Sequence, residues 1–105
     1  VWNEHIREFS DLKDEDRILL MNVVVTLERF VLNDMQADKC NIATLGNVVP
    51  HLHWHVIPRF TDDAHFPAPV WGSAKKDAGL CPRQKAIQTE KTALMQRLAR
   101  LLGQS

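Results

Sequence analysis

Apolar residues in the first third of the chain recur every three or four positions. This spacing predicts an amphipathic helix over residues 14–34, whose buried stripe would be Leu20, Val23, Val24, Leu27, Phe30 and Val31. The acidic run at 14–16 favours a start there, because carboxylates stabilise the positive end of the helix dipole. A second stripe predicts one C-terminal helix over residues 82–103, with Pro82 in its first turn and these apolar positions on one face: Ile87, Leu94, Leu98 and Leu101.

Between the helical stretches, the pattern changes to two short apolar runs bounded by turn residues. The run KCNIATL at 39–45 predicts a first strand, and VVPHLHWHVIPRF at 48–60 predicts a second one after a Gly-Asn turn. The residues Val1 and Trp2 indicate the end of a further strand. The predicted fold class is therefore α+β, with one main helix packed on an antiparallel sheet and an additional C-terminal helix. A single domain covering residues 1–105 accounts for the length.

The number of strands is small for this arrangement. Two strands make a marginal sheet in water, and two amphipathic helices need a broader apolar surface to cover. We therefore expect the sheet to be incomplete within this chain. N-terminal strands of the same gene product or a partner chain would complete it. The short apolar strand at 39–45 is a candidate pairing edge, and we expect the functional form to be a homodimer.

The charge balance excludes several classes of partner. Thirteen basic residues match thirteen acidic ones, so there is no basic excess to hold nucleic acid. No stretch reaches the ~18 apolar residues of a membrane span, and we expect neither nucleic acid nor membrane as a partner. The cysteines Cys40 and Cys81 lack the C-x-x-C spacing, which indicates reduced thiols in a cytoplasmic protein.

Three histidines alternate with apolar residues in the second predicted strand. On a strand, His51, His53 and His55 would point to one side, while Leu52 and Trp54 would point into an apolar layer. Such a row could be a solvated polar face, a metal site or a catalytic centre acting on phosphorus. Neutral imidazole is a good nucleophile near neutral pH, and flanking imidazoles can bind phosphoryl oxygens and deliver a proton.

The metal reading needs a further ligand beside the histidine row. Two alternating histidines on a strand can share one zinc ion, and the third ligand would come from His5, His65, Cys81 or an acidic side chain. No acidic side chain stands at a fixed spacing beside the row, so we expect no metal and no other cofactor.

The heptapeptide HLHWHVI resembles the signature of the histidine-triad (HIT) family, His-φ-His-φ-His-φ-φ with φ apolar. The longer run NIATLGNVVPHLHWHVIPRF is similar to the strand–loop–strand of histidine-triad nucleotide hydrolases and transferases. The segment VWNEHIREFSDL resembles the one that precedes the first helix of that family. The resemblance implies a hydrolase or transferase acting on the α-phosphate of a nucleoside phosphoramidate or a dinucleoside polyphosphate. A purine nucleotide or a related phosphate ester or amidate would be the ligand.

The resemblance also implies a role for each histidine. His53 would be the nucleophile and would form a covalent nucleotidyl-imidazole intermediate. His51 and His55 would bind phosphate oxygens and support the leaving group. His5 stands where the family has an additional active-site histidine and would help to bind the substrate.

The loop before the triad departs from the family pattern. Asn47 and Val48 stand where family members often carry Gln and then Ser or Thr. Asn47 can still bind a phosphate or ribose, and Asn41 is a further candidate for substrate binding. Val48 lacks the hydroxyl that would help the leaving group. An alternative therefore stays open: a nucleotide-binding regulatory or interaction protein with little turnover. Arg59 could bind phosphate if it shares the His51 face.

Overall fold

The computed structural model describes residues 1–75 and 79–103. This part of the chain forms two strands and three α-helices, preceded by a single 3-10 turn at Phe9–Asp11. In chain order they are α1 (Asp14–Asn33), β1 (Lys39–Ala43), β2 (His55–Arg59), α2 (Pro82–Thr89) and α3 (Lys91–Gly103). The predicted α+β class with an antiparallel sheet is confirmed, and the sheet is not closed.

The main helix α1 begins and ends as its sequence predicts. Its first turn carries three acidic residues, and its buried residues are Val24, Phe30 and Val31, all from the predicted stripe. Beyond its end, the Ala37 N–H donates to the Val31 carbonyl at 3.2 Å. Gln36 takes a left-handed conformation, with φ of 57°, and reverses the chain toward β1.

The strands β1 and β2 pair antiparallel, and their register decides which side chains share a face. Ala43 lies opposite His55, Asn41 opposite Ile57, and Lys39 opposite Arg59. Directly opposed residues point to the same side of a sheet. One face of this sheet therefore carries His55, Asn41 and Arg59 together.

The other face of the sheet packs toward α1. Cys40 is buried on that face, and α1 contacts both strands. Burial raises the pKa of the Cys40 thiol, and the nearby carboxylate of Glu28 on α1 raises it further. The helix thus covers the face opposite His55 and leaves the His55 face free of it.

The second strand is shorter than predicted, since β2 covers only His55–Arg59 rather than 48–60. The residues before it bond to the N-terminal segment instead of to β1. The Leu52 N–H donates to the Ile6 carbonyl at 2.7 Å, and its own carbonyl accepts from the Trp2 N–H at 3.2 Å. Pro50 has no N–H to donate to a ladder. Trp2 therefore pairs with this segment without forming the strand that the sequence predicted.

The C-terminal region forms two helices rather than the one predicted over 82–103. The break lies at Glu90, whose N–H is shared between the carbonyls of Ala86 at 3.2 Å and Ile87 at 3.1 Å. The Thr89 hydroxyl also donates to the Ala86 carbonyl at 2.7 Å. Such back-bonding by threonine competes with the regular helical bonds and bends a helix.

Each C-terminal helix is tied to the rest of the molecule by an arginine. Arg83 of α2 pairs with Asp38 and Asp62, and Arg97 of α3 donates from Nε to Asp34 at 2.9 Å. The bond to Arg83 holds the pKa of the Asp38 carboxyl well below its usual range. Within residues 1–75 and 79–103, no helix is both long and apolar enough to cross a membrane.

Candidate active site

A tight turn after β1 shapes a groove beside the histidines. Gly46 has a φ of +78°, and a Cβ there would lie 3.3 Å from the Val49 carbonyl oxygen, so glycine suits the position. The groove has a volume of about 330 Å³, and these residues line it: Leu45, Gly46, Asn47, Val48, Val49, His53 and His55. The turn and two of the triad histidines therefore line one open groove.

The ring of His53 is oriented by the backbone of His51. Its Nδ1 lies 2.6 Å from the His51 carbonyl oxygen. A carbonyl can only accept, so Nδ1 carries the proton and donates it. In the neutral ring the lone pair is then on Nε2, which is the form required of a nucleophile or a base.

His55 stands beside His53 as the first residue of β2. The two ring centroids are 5.1 Å apart and the rings meet edge to face, with an interplanar angle of 75°. The side chain of His55 is exposed. The groove thus presents two adjacent imidazoles, one fixed by a backbone bond and the other open to solvent.

His51 contacts a different part of the molecule. Its Nε2 donates to the Trp2 carbonyl oxygen at 2.6 Å, and its ring stacks on His5 with centroids 5.7 Å apart and an interplanar angle of 10°. The expectation that all three histidines lie on one strand is wrong, because only His55 belongs to a ladder. His51 and His5 form a second pair against the N-terminal segment.

The backbone of the triad segment, residues 51–55, is held from two sides. The Thr44 hydroxyl, which directly follows β1, donates to the His53 carbonyl at 2.8 Å. Leu52 is only 3% exposed, and Trp54 packs edge to face against Phe9 with centroids 5.4 Å apart. The apolar residues between the histidines anchor the segment to the body of the protein, as the alternation predicted.

The asparagines proposed for substrate binding occupy two distinct places. Asn47 is exposed and lines the groove, next to Val48, whose side chain is 93% exposed. Asn41 lies on the His55 face of the sheet, and its Oδ1 accepts from Arg59 Nη1 at 2.8 Å. The roles of these asparagines and of His5 remain predictions.

Arg59 is buried, and each of its three guanidinium nitrogens donates a hydrogen bond within the protein. It is 2% exposed and donates to Asp63 through Nε at 2.9 Å and Nη2 at 3.1 Å. Nη2 also donates to the Ala68 carbonyl at 2.7 Å, and Nη1 donates to Asn41. The suggestion that Arg59 binds phosphate is therefore wrong, because its donors are directed into the protein.

Asp63 completes this buried network, and the sequence reasoning missed it. Asp63 is only 4% exposed. Its carboxylate accepts hydrogen bonds from the backbone N–H groups of Phe60, His65 and Phe66, at 3.0, 2.9 and 2.7 Å. Burial alone would raise the pKa of Asp63, but Arg59 and the three N–H donors hold it well below its usual range. An arginine at a strand end, followed four residues later by an aspartate, was the available signal.

No metal cage is formed by the described residues: no three of their histidine, cysteine, aspartate and glutamate side chains are placed to hold one ion. His65 and Cys81, offered as possible third ligands, do not complete a set with the triad there.

Comparison with known proteins places this geometry in a family. A family model of the HIT domain matches residues 1–62. A histidine triad protein from Bradyrhizobium japonicum is 34% identical, with a TM-score of 0.71 over 91% of this chain and 69% of that one. Histidine triad proteins from Sinorhizobium meliloti and Marinobacter aquaeolei are 33% and 32% identical, with TM-scores of 0.66 and 0.65. The match to the Sinorhizobium meliloti protein covers 87% of this chain and 65% of that one. The match to the Marinobacter aquaeolei protein covers 89% of this chain and 68% of that one.

A comparison with curated proteins gave no match. The chain spans about two thirds of the length of each solved relative. The HIT family generally comprises nucleotide hydrolases and transferases, so these matches support a nucleotide-processing function. The match over residues 1–62 and the identity to three histidine triad proteins show that the chain belongs to the histidine-triad family.

Proposed function

We propose that this chain acts on the α-phosphate of a nucleoside phosphoramidate or a dinucleoside polyphosphate through a covalent nucleotidyl-histidine intermediate on His53. The observation that carries the proposal is the bond from His53 Nδ1 to the His51 carbonyl, beside a groove of about 330 Å³. That bond leaves the lone pair on Nε2 of a ring that lines the groove. A purine nucleotide or a related phosphate ester or amidate is the proposed ligand, and no cofactor takes part.

The reaction has two steps that balance in atoms and charge. In the first, His53 Nε2 attacks the α-phosphorus, an N–P bond forms, and the bond from phosphorus to the leaving nitrogen or oxygen breaks. The leaving group takes a proton, for which the adjacent His55 is the proposed donor. In the second step, water attacks the phosphorus and loses a proton, the N–P bond breaks, and a nucleoside monophosphate departs.

The remaining site residues bind and orient in this proposal. Asn47 lines the groove and offers an amide to a phosphate or ribose oxygen. Asn41 lies on the same sheet face as His55 and is the second amide donor. His51 acts through its carbonyl on His53 and, with the stacked His5, holds the N-terminal segment beside the site.

The alternative is a nucleotide-binding regulatory or interaction protein with little turnover. Val48 favours it, because this groove-lining position carries an exposed apolar side chain and no hydroxyl to support a leaving group. In that case the groove would bind nucleotide without forming the N–P bond.

Trapping the intermediate separates the two functions. The chain is mixed with a radiolabelled nucleoside phosphoramidate, denatured within milliseconds, and analysed for a labelled peptide containing His53. We expect a labelled adduct in the wild type and none in His53→Ala. The matched control is His65→Ala, a histidine in the loop after β2, which should retain the label. Equilibrium binding of nucleotide with no adduct at any time would reject the enzyme and support the binding protein.

We also propose a homodimer of single-domain chains, with residues 1–105 as one domain. The two-stranded sheet motivates this, because a sheet of two strands is marginal on its own. Sedimentation equilibrium gives the mass in solution. A stable monomer that unfolds cooperatively would reject the dimer.

A further inference from the structure

The contact between Arg59 and Asn41 fixes the direction of an amide. A guanidinium has donors and no acceptor, so it can bond only to the Asn41 carbonyl oxygen. Arg59 Nη1 lies 2.8 Å from Asn41 Oδ1, and this bond assigns the amide without ambiguity. The two N–H groups on Nδ2 of Asn41 therefore point away from Arg59.

Arg59 cannot turn to follow a different amide orientation. Its Nε and Nη2 donate to the two carboxylate oxygens of Asp63, and Nη2 also donates to the Ala68 carbonyl. The Phe66 ring lies 5.6 Å from the guanidinium carbon and packs against it. Asp63 is itself held by three backbone N–H groups. Because the planar guanidinium is fixed at several points, the Asn41 side chain can bond to it in only one orientation, with Oδ1 toward Arg59.

Asn41 lies near the histidines on the sheet. It pairs with Ile57, two residues along β2 from His55, and both Asn41 and His55 are on the same face. Diagonal neighbours of this kind are about 7–8 Å apart in Cα position. A substrate whose phosphorus is at His53 and His55 can therefore extend one further group to Asn41.

From these contacts, we propose that Arg59 is a positioning residue that holds the Asn41 amide so that the substrate meets an N–H donor. The inference rests on the proposed function and deepens it by naming what this position recognises. An N–H donor selects a hydrogen-bond acceptor, here an oxygen of the nucleotide. That oxygen belongs either to a phosphate or to a ribose hydroxyl, and the experiment below distinguishes them.

Asn41→Asp is the sharpest variant for this test. Aspartate keeps an oxygen for Arg59 and the shape of the side chain, but it removes both N–H donors and adds a negative charge. Asn41→Ala, which removes the donors without adding a charge, is therefore measured beside it. We expect KM for a nucleoside phosphoramidate, and Kd for a nucleoside monophosphate, to rise at least about tenfold, as for loss of a hydrogen bond to a charged group. We expect kcat to change less than about twofold, because the reacting atoms are untouched.

A double-mutant cycle shows whether Arg59 acts through Asn41. Arg59→Lys keeps the charge but loses the planar fork, so the Asn41 amide is released and KM should rise by about three- to tenfold. When Asn41→Ala is already present, Arg59→Lys should raise KM no further. The matched control is Arg83→Lys, an arginine that also pairs with two aspartates and should leave KM unchanged.

A substrate lacking the ribose hydroxyls separates the two sources of the acceptor. If Asn41 bonds to the ribose, Asn41→Ala, which removes the amide without adding a negative charge near the phosphate, should cost nothing on the 2′,3′-dideoxy substrate. If it bonds to phosphate, the same penalty should appear on both substrates. Either result supports an N–H donor at Asn41 and identifies the oxygen that it meets.

Several results would overturn the inference. Unchanged KM and Kd in Asn41→Asp would do so, and so would an Arg59→Lys penalty that adds fully to that of Asn41→Ala. If Arg59→Lys does not fold, Asp63→Asn, which loosens the Arg59 fork, takes its place in the cycle. If the wild-type chain binds no nucleotide, the proposed function is rejected as well. If the wild type binds nucleotide and Asn41→Asp has the same KM and Kd as the wild type, only this inference is rejected.

Discussion

The two ends of the short strand β2 are built in opposite ways. At its start, the triad segment (residues 51–55) contains an exposed His55 and a His53 that borders the groove, and each has few fixed contacts. At its end lies a buried clamp formed by Arg59 and Asp63, which are 2% and 4% exposed. Every nitrogen of the guanidinium and both oxygens of the carboxylate take part in hydrogen bonds. The groups proposed to meet a substrate are open to solvent, and a buried network a few residues away fixes the strand that carries His55.

Orientation in the open half comes from the backbone. His53 is held through the His51 carbonyl, and its own carbonyl is held by Thr44. Neither contact occupies Nε2, so the reactive nitrogen remains free. If the comparison is right, mutations in the triad segment should lower kcat without changing stability, and mutations in the clamp should lower stability and change KM rather than kcat.

His53→Ala is expected to produce the largest effect. Removing the nucleophile should lower kcat for a nucleoside phosphoramidate by at least about a thousandfold, because no second group can form the covalent intermediate. The thermal midpoint of unfolding should stay close to that of the wild type, since the ring is only partly buried. Steady-state kinetics and calorimetry on the same preparation check both statements. Undiminished turnover in a folded variant would contradict the assignment of His53.

Asp63→Ala tests the other half of the comparison. It leaves the buried Arg59 charge unpaired, and breaking a buried pair in this way costs roughly 3–5 kcal/mol of stability. The adjacent Asp62 provides a matched control, because its pair with Arg83 is exposed to solvent and Asp62→Ala should barely change stability. Urea unfolding of the three proteins gives the values. Equal losses in both variants would show that burial of the clamp is not what stabilises it.

The clamp should also make the free energy of unfolding depend on pH in the acidic range. The pKa of Asp63 is lowered in the folded protein, so the ionised form stabilises the fold. This contribution is fully present above the unfolded pKa of about 4 and is lost as pH falls toward the lower folded pKa. The difference in unfolding free energy between wild type and Asp63→Asn should therefore be constant near neutrality and shrink below about pH 4. Other aspartates, such as Asp38, are present in both proteins, so their contributions to the pH dependence of the unfolding free energy cancel in the difference.

The sequence predicted the elements that follow from periodic patterns. Three of the six positions predicted for the α1 stripe are buried and the other three are half-buried. In the triad segment Leu52 is buried and Trp54 is half-buried, as expected where one face packs on the protein. The limits of β2 were wrong, because the residues before His55 find backbone partners in a segment some fifty positions away. No local pattern contains that pairing.

The candidate site was predicted in part, for the same physical reason. His53, His55 and Asn47 line one groove because they are close in sequence, in the turn after β1 and the segment that leads into β2. The clamp depends on Arg59 being turned inward, and a charged side chain on a half-exposed strand is more often solvated. Its burial could be foreseen only with knowledge of Asp63, whose position depends on the fold of the following loop.

Thr44→Val tests the backbone support of the triad at a smaller scale. Valine keeps the shape and removes one hydrogen bond, so stability should fall by about 1 kcal/mol or less. We expect kcat to fall several-fold, because His53 loses a fixed backbone position. Thr26→Val is the matched control, since its hydroxyl bonds to the Asn22 carbonyl within α1, at 2.9 Å, away from the groove. A drop in kcat of the same size in both variants would show that the effect is not specific to the triad.

Val48→Ser is expected to have the smallest effect and to act in the opposite direction. Val48 is 93% exposed, so the substitution should alter stability by no more than about 0.5 kcal/mol. The new hydroxyl lies in the wall of the groove, where it can donate to the leaving atom and raise kcat a few-fold. Val49→Ser places a hydroxyl one residue away in the same wall and controls for polarity alone. Stopped-flow measurement of adduct formation isolates the first step. Equal rates in Val48→Ser and the wild type would show that loss of the hydroxyl does not limit this chain, and that the groove supports the leaving group by other means.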